Sequence, residues 1–201
     1  GNEIYLSGPS SNEPNSKEIY RSGAQYAREF PAFASAIKNA IPEAKVGAIA
    51  HFDTFAFPMA PSDNRNWTRD MLDELTVKAD FFALHNGYAP VVMRRSPANA
   101  KTPFAITEFG ALIGVSGDPK RHLAYVDYSR TQAAALYTAS VLDVYMGDPR
   151  VHSTMFVSPV HHHYGGLVLA DPSGLVTSPT YFLYRFYRER KAAPVVLVMV
   201  S

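Results

Sequence analysis

Cysteine is absent from the 201 residues, so neither a disulfide framework nor a thiolate metal site can contribute to the fold. Neither charge is in excess: 19 Lys and Arg stand against 18 Asp and Glu, a formal net charge of +1. Basic residues cluster only at Arg94-Arg95, at Lys120-Arg121 and from Arg185 to Lys191. That scatter excludes the basic stripe that a nucleic-acid surface requires. No apolar run has the length of a membrane span, and no internal repeat or low-complexity tract occurs. The first residues show no basic segment followed by an apolar one, so no signal peptide is read there. Beginning on what reads as a strand end, the sequence is expected to join a longer protein partway through.

What is present is an ordinary globular composition, 47% apolar, in a length that one domain can hold. Asn15 and Glu18 stand in capping-box spacing. After them Tyr20, Gly23, Tyr26, Phe30, Phe33, Ile37 and Ile41 recur at steps of three and four, which predicts an amphipathic helix from Ser16 to Ala40. Pro31 lies inside it and predicts a kink or break near Arg28. Further helices are expected from Asn64 to Lys78, from Tyr125 to Met146 and from Ser178 to Lys191, the last with Pro179 in its first turn. Strands are expected at 45–50, 80–85, 103–108 and 151–157, and a turn at Asp171-Pro172-Ser173-Gly174. The aromatic run Tyr181, Phe182, Tyr184, Phe186 and Tyr187 reads as helix packing, with Arg185, Arg188 and Arg190 as its wet face.

Strands alternating with helices predict an α/β fold with a parallel sheet, because parallel strands need crossovers of a dozen or more residues. The stretch between Tyr88 and Pro103 is short for such a crossover and shows no helical stripe. Polar residues at the carboxyl ends of parallel strands converge on one face. Here they are Asn2 and Glu3, His51 and Asp53, His85 with Asn86 and Tyr88, Glu108, and Ser158 with His161, His162 and His163.

Glu3 closes Gly1-Asn2-Glu3, and Glu108 stands in Phe104-Ala105-Ile106-Thr107-Glu108-Phe109-Gly110. Two carboxyl groups facing one sugar are the minimum equipment for glycosidic hydrolysis: one protonated to assist the leaving oxygen, one ionised to attack, about 5 Å apart in a retaining mechanism. They must titrate differently, which burial, hydrogen bonding and mutual repulsion can arrange. The three consecutive histidines do not read as a metal site, since neighbours in sequence cannot all face one ion; a solvated or sugar-facing loop fits them better. Trp67, the one tryptophan, can stack on a sugar ring or simply pack in its loop; the polar Asn64, Arg65 and Asn66 before it favour a ring exposed near the cleft.

Asn2-Glu3 and Thr107-Glu108 resemble the paired signatures of clan A glycoside hydrolases, and the chain as a whole is similar to the family 51 α-L-arabinofuranosidases and their near relatives. The resemblance implies a (β/α)8 TIM barrel. Residues 1–191 would be its carboxyl-terminal half, and residues 192–201, with the β-rich stretch Pro194 to Val200, would begin an accessory β-sandwich. It implies a retaining hydrolase of plant-type polysaccharide or oligosaccharide, with Glu3 as acid/base and Glu108 as nucleophile. Asn2 would hold the sugar hydroxyl next to the reacting carbon, and His85 and Tyr88 would line the pocket or orient Glu108. His51, His161 and Trp67 complete the expected carbohydrate-binding set. The pattern departs from the family at His85-Asn86-Gly87-Tyr88 and at Ser158-Pro159-Val160-His161. No cofactor or metal, no nucleic acid and no membrane are expected as partners. Secretion or a periplasmic location would suit such an enzyme, although nothing in the residues fixes the compartment.

Two other readings stand beside this one. Another clan A activity, a β-xylosidase, endoglucanase or β-glucuronidase, would use the same pair. A non-catalytic carbohydrate-binding half-barrel would expose two strand edges, and such a chain is expected to form a homo-oligomer or to complement a missing amino-terminal half.

Overall fold

A computed structural model describes residues 22–50, 67–85, 101–110, 127–156, 160, 166–171 and 174–189. They belong to two compact units, Gly1–Ala105 and Ile106–Ser201, whose boundary falls inside a strand.

In the first unit, helix α1 (Gly23–Ala40) begins at Ser22, whose backbone is extended and whose Oγ accepts the Gln25 N–H at 3.2 Å. That bond satisfies one of the donors a helix start leaves unpaired. The expected capping pair Asn15 and Glu18 lies outside the described residues. Of the kink or break expected near Arg28, the break does not occur: α1 runs through Pro31 as one helix.

Burial divides the expected apolar stripe in two. Gly23, Tyr26 and Phe30 are buried, whereas Phe33, Ile37 and Ile41 are 58%, 43% and 51% exposed. The partner helix α2 (Trp67–Glu74) has 8 residues against the 18 of α1, and so covers only its first half. The two helices meet at Gly23, where a Cβ would lie 2.8 Å from the Trp67 carbonyl carbon and 3.0 Å from the Met71 nitrogen. Only a residue without a side chain fits there.

Strand β1 (Gly47–Ile49) pairs in parallel with β2 (Phe81–His85), Ala48 opposite Phe82 and Ile49 opposite Ala83. Phe82 N–H donates to the Pro103 carbonyl at 2.9 Å, which brings β3 (Phe104–Phe109) to the other side of β2. With β4 (Val151–Phe156) the parallel sheet has the order β1-β2-β3-β4. Asp80 anchors the start of β2. Its Oδ2 accepts the Val46 N–H at 2.8 Å and pairs with Lys38 Nζ at 2.8 Å. The Lys38 bond above all, then the Val46 N–H, hold this carboxyl below its ordinary range.

In the second unit, α3 (Gln132–Met146) starts later than the expected Tyr125 because Thr131 interrupts the run. Its backbone is extended, and its Oγ1 donates to the Tyr128 carbonyl at 2.7 Å and accepts the Ala134 N–H at 3.2 Å. Residues 127–129, before Thr131, are helical as well. Between α3 and β4 the chain is pinned by Asp148, whose carboxylate takes Arg150 Nε at 2.9 Å, Nη2 at 2.6 Å and backbone N–H at 3.0 Å.

The antiparallel strands β5 (Val168–Asp171) and β6 (Gly174–Thr177) flank the turn expected at 171–174, with Asp171 opposite Gly174. Gly174 has φ +135°, a conformation that side chains rarely adopt. Strand β6 escapes a sequence reading because all four of its residues are exposed, so no buried face imposes alternation.

Helix α4 (Pro179–Glu189) carries proline at its first position, and Ser178 accepts the Tyr181 N–H through its carbonyl at 3.0 Å and its Oγ at 3.4 Å. Of its aromatic run only Tyr184 is buried; Phe182 and Phe186 are 53% and 52% exposed, which corrects the expectation that the whole run packs inward. Arg185 and Arg188 are exposed, as expected of a wet face. Tyr187 Oη donates to Asp143 Oδ1 at 2.9 Å and ties α4 to α3.

Candidate functional site

Glu108 lies at the carboxyl end of β3, one residue before the strand ends. Side chains alternate across a strand, so Glu108 shares a face with Phe104 and Ile106, while Phe109 shares the other with Ala105 and Thr107. Phe104 and Ile106 are 1% and 2% exposed, and Glu108 is half-buried, so the apolar run passes into a carboxylate where the strand comes to an end.

The opposite face is set by aromatic packing. Phe109, 1% exposed, meets Tyr145 of α3 edge-on at 5.6 Å and Phe156 of β4 at 5.7 Å. Phe156 in turn packs edge-on against Tyr184 of α4 at 5.6 Å. Edge-to-face pairs of this kind add about 0.5–1.5 kcal/mol each beyond burial. They fix Phe109 toward the helices. Glu108, its neighbour, is thereby turned to the face that α3 does not cover. The end of β3 is in effect a clamp on one side and a carboxylate on the other.

His85 closes β2 and carries the parity of Phe81 and Ala83, opposite to the fully buried Phe82 and Leu84. It is half-buried.

Trp67 departs from expectation. It is 0% exposed, its Nε1 donates to the Ile49 carbonyl at 2.9 Å, and its ring lies against that of Tyr26 at 5.5 Å. The polar residues before it predict an exposed ring, but an indole with both its faces and its one donor used inside the unit has no surface left for a sugar. Trp67 is a packing residue of α1, α2 and β1. Tyr26, expected only as part of an apolar stripe, also has a polar task, since its Oη accepts the Ile49 N–H at 3.0 Å. A tyrosine where phenylalanine would satisfy the stripe was the one available signal.

Of the expected site residues, Glu108 thus belongs to the second unit and His85 and Trp67 to the first. Asn2, Glu3, His51, Tyr88 and His161 lie outside the described residues, as do Asp53, Ser158, His162, His163 and the stretch 194–200. Among the described residues no group of three His, Asp or Glu is placed to hold a metal ion, and no helix is long and apolar enough to cross a membrane. Comparison with family models, with curated proteins and with solved structures gives no match.

Proposed function

We propose that the chain is a retaining glycoside hydrolase of the α-L-arabinofuranosidase kind, acting on plant-type polysaccharide or oligosaccharide, with Glu108 as nucleophile and Glu3 as acid/base. The observation that carries the reading is the position of Glu108. A half-buried carboxylate closes a parallel strand on the face turned away from α3, and the carboxyl ends of parallel strands are where α/β enzymes gather their chemistry. The finer fold that belongs to this reading is the carboxyl-terminal half of a (β/α)8 barrel, with β3 as its seventh strand.

In the first step the Glu108 carboxylate attacks the anomeric carbon while Glu3 delivers its proton to the departing glycosidic oxygen. A carbon–oxygen bond to Glu108 forms as the glycosidic bond breaks, leaving a glycosyl ester. Glu3, now ionised, takes a proton from water, whose oxygen displaces Glu108 and restores both groups. Phe109 keeps the attacking carboxylate aimed, because its ring cannot turn without leaving the contacts with Tyr145 and Phe156.

The variant E108Q tests the assignment. It is expected to keep the fold and to abolish turnover of an aryl α-L-arabinofuranoside, and unaltered turnover would refute it. E3A is expected to lose most on substrates with poor leaving groups, because proton donation matters least where the leaving group departs unaided. An equal loss across leaving groups would remove Glu3 from the acid role. A panel of aryl glycosides distinguishes an arabinofuranosidase from a β-xylosidase, endoglucanase or β-glucuronidase.

A further inference from the structure

Every second residue of a parallel strand turns its backbone groups to one neighbour, and the residues between turn theirs to the opposite side. In β1 the Val46 carbonyl accepts the Asp80 N–H at 3.0 Å and the Ala50 N–H donates to the Ala83 carbonyl at 2.9 Å, so the even-numbered positions face β2. Ile49 therefore directs its N–H and C=O to the outer side of β1, where the sheet order has no further strand among the described residues. Both groups are occupied. Ile49 N–H donates to Tyr26 Oη at 3.0 Å, and Ile49 C=O accepts from Trp67 Nε1 at 2.9 Å.

One partner comes from α1 and the other from α2, and their rings lie together at 5.5 Å with an interplanar angle of 31°. Tyr26 is 7% exposed and Trp67 0%. An added strand would offer Ile49 one acceptor and one donor. The two side chains already supply that pair.

We propose that Tyr26 and Trp67 act as a strand surrogate that closes the outer edge of β1 at Ile49 and keeps it from pairing with β1 of a second copy of this chain. An unpaired edge is a template for another strand, and a half-barrel without protection is expected to associate through it. Exchanging the two side-chain bonds for two ladder bonds gains nothing in hydrogen bonding, since each group has one partner before and after. Displacing the rings, in contrast, uncovers two buried aromatics. Trp67 is further pinned by Gly23, whose missing side chain lets α1 lie directly on the Trp67 backbone. The inference stands apart from the catalytic reading but bears on its finer fold: with β3 as the seventh strand, a fourth strand lying along the outer side of β1 would have to displace the same two side chains at Ile49.

Hydrogen exchange followed by NMR tests it on the wild-type chain, in which the single tryptophan gives one indole N–H signal. The Trp67 indole proton and the Ile49 amide are both expected to exchange slowly. Y26F keeps the ring and deletes only the acceptor. It is expected to speed Ile49 amide exchange at least about tenfold and, in sedimentation equilibrium, to strengthen self-association by about the same factor. W67F, which deletes the donor to the Ile49 carbonyl, is expected to strengthen self-association in the same way. An Ile49 amide that exchanges in the wild-type chain as fast as in an unstructured peptide would overturn the proposal even if the variants fail to fold. Unchanged self-association in a folded Y26F would overturn it as well.

Discussion

Replacing Gly23 by alanine puts one methyl group where two helices touch backbone to backbone. The added carbon would stand 2.8 Å from the Trp67 carbonyl carbon and 3.0 Å from the Met71 nitrogen, both well inside van der Waals contact. Neither neighbour is the loose end of a side chain. Helix α2 itself must retreat, and the Trp67 bond to Ile49 must lengthen with it. Overpacking of this kind costs about 1–3 kcal/mol, and the upper half of that range applies where only backbone can yield. Alanine returns at most about 1 kcal/mol of helix propensity, less at the first position of a helix. The net loss is about 2 kcal/mol. In a unit of this size each kcal/mol lowers the melting temperature by about 4–8 °C, so G23A is expected to melt about 10 °C below the wild-type chain by circular dichroism. Gly47 supplies the control, because a Cβ there meets ring atoms of Phe81, one of them at 2.6 Å, and a ring can turn aside. G47A is expected to lose less than half as much. A G23A variant as stable as wild type, or equal losses at the two glycines, would refute the reasoning.

Asp80→Asn removes a carboxylate whose folded form is favoured by Lys38 and the Val46 N–H. Because that carboxyl titrates lower when folded than its unfolded value of about 3.9, its contribution is fully present above that value and fades as pH falls through the folded one. The melting-temperature gap between D80N and wild type is therefore expected to be widest near neutrality and to shrink below about pH 4. Asp148→Ala leaves the Arg150 guanidinium, 15% exposed, without its two-point partner. Urea denaturation is expected to show a loss of about 3 kcal/mol, as for breaking a buried pair. Tyr187→Phe deletes the bond to Asp143 that joins α4 to α3. Burial first, then that bond, raise the Tyr187 phenol above its ordinary value. Its stabilisation is present below about pH 10 and is lost as pH rises through the folded value, so a melting-temperature gap between Y187F and wild type that persists unchanged at higher pH would contradict it.

Elements with a buried face were legible in the sequence, and elements without one were not. The strands β2 and β3 were legible to within a residue at each end, because each is a short apolar run closed by a polar residue. Helix α4 was legible through Pro179 and Ser178. The start of α3 is misplaced because the helix was extended back to Tyr125 across the polar stretch Asp127 to Gln132, within which Thr131 is the cap. The stripe of α1 is continuous in the sequence, yet how much of it is covered depends on where α2 ends, which no residue of α1 can encode. For the candidate site, Glu108 was legible because a carboxylate closes an apolar strand. Trp67 was misread because its burial comes from Tyr26 and Ile49, far away in sequence, and not from the polar residues beside it.

The assignment of Glu108 is tested most directly by trapping the glycosyl ester. An activated fluorinated arabinofuranoside forms that ester and is released slowly, so digestion and mass spectrometry can locate the attached sugar. The sugar is expected on the peptide that contains Glu108, and E108Q is expected to take up none. Turnover of the substrate with the sugar attached to any other carboxylate, or to none, would contradict the proposed chemistry.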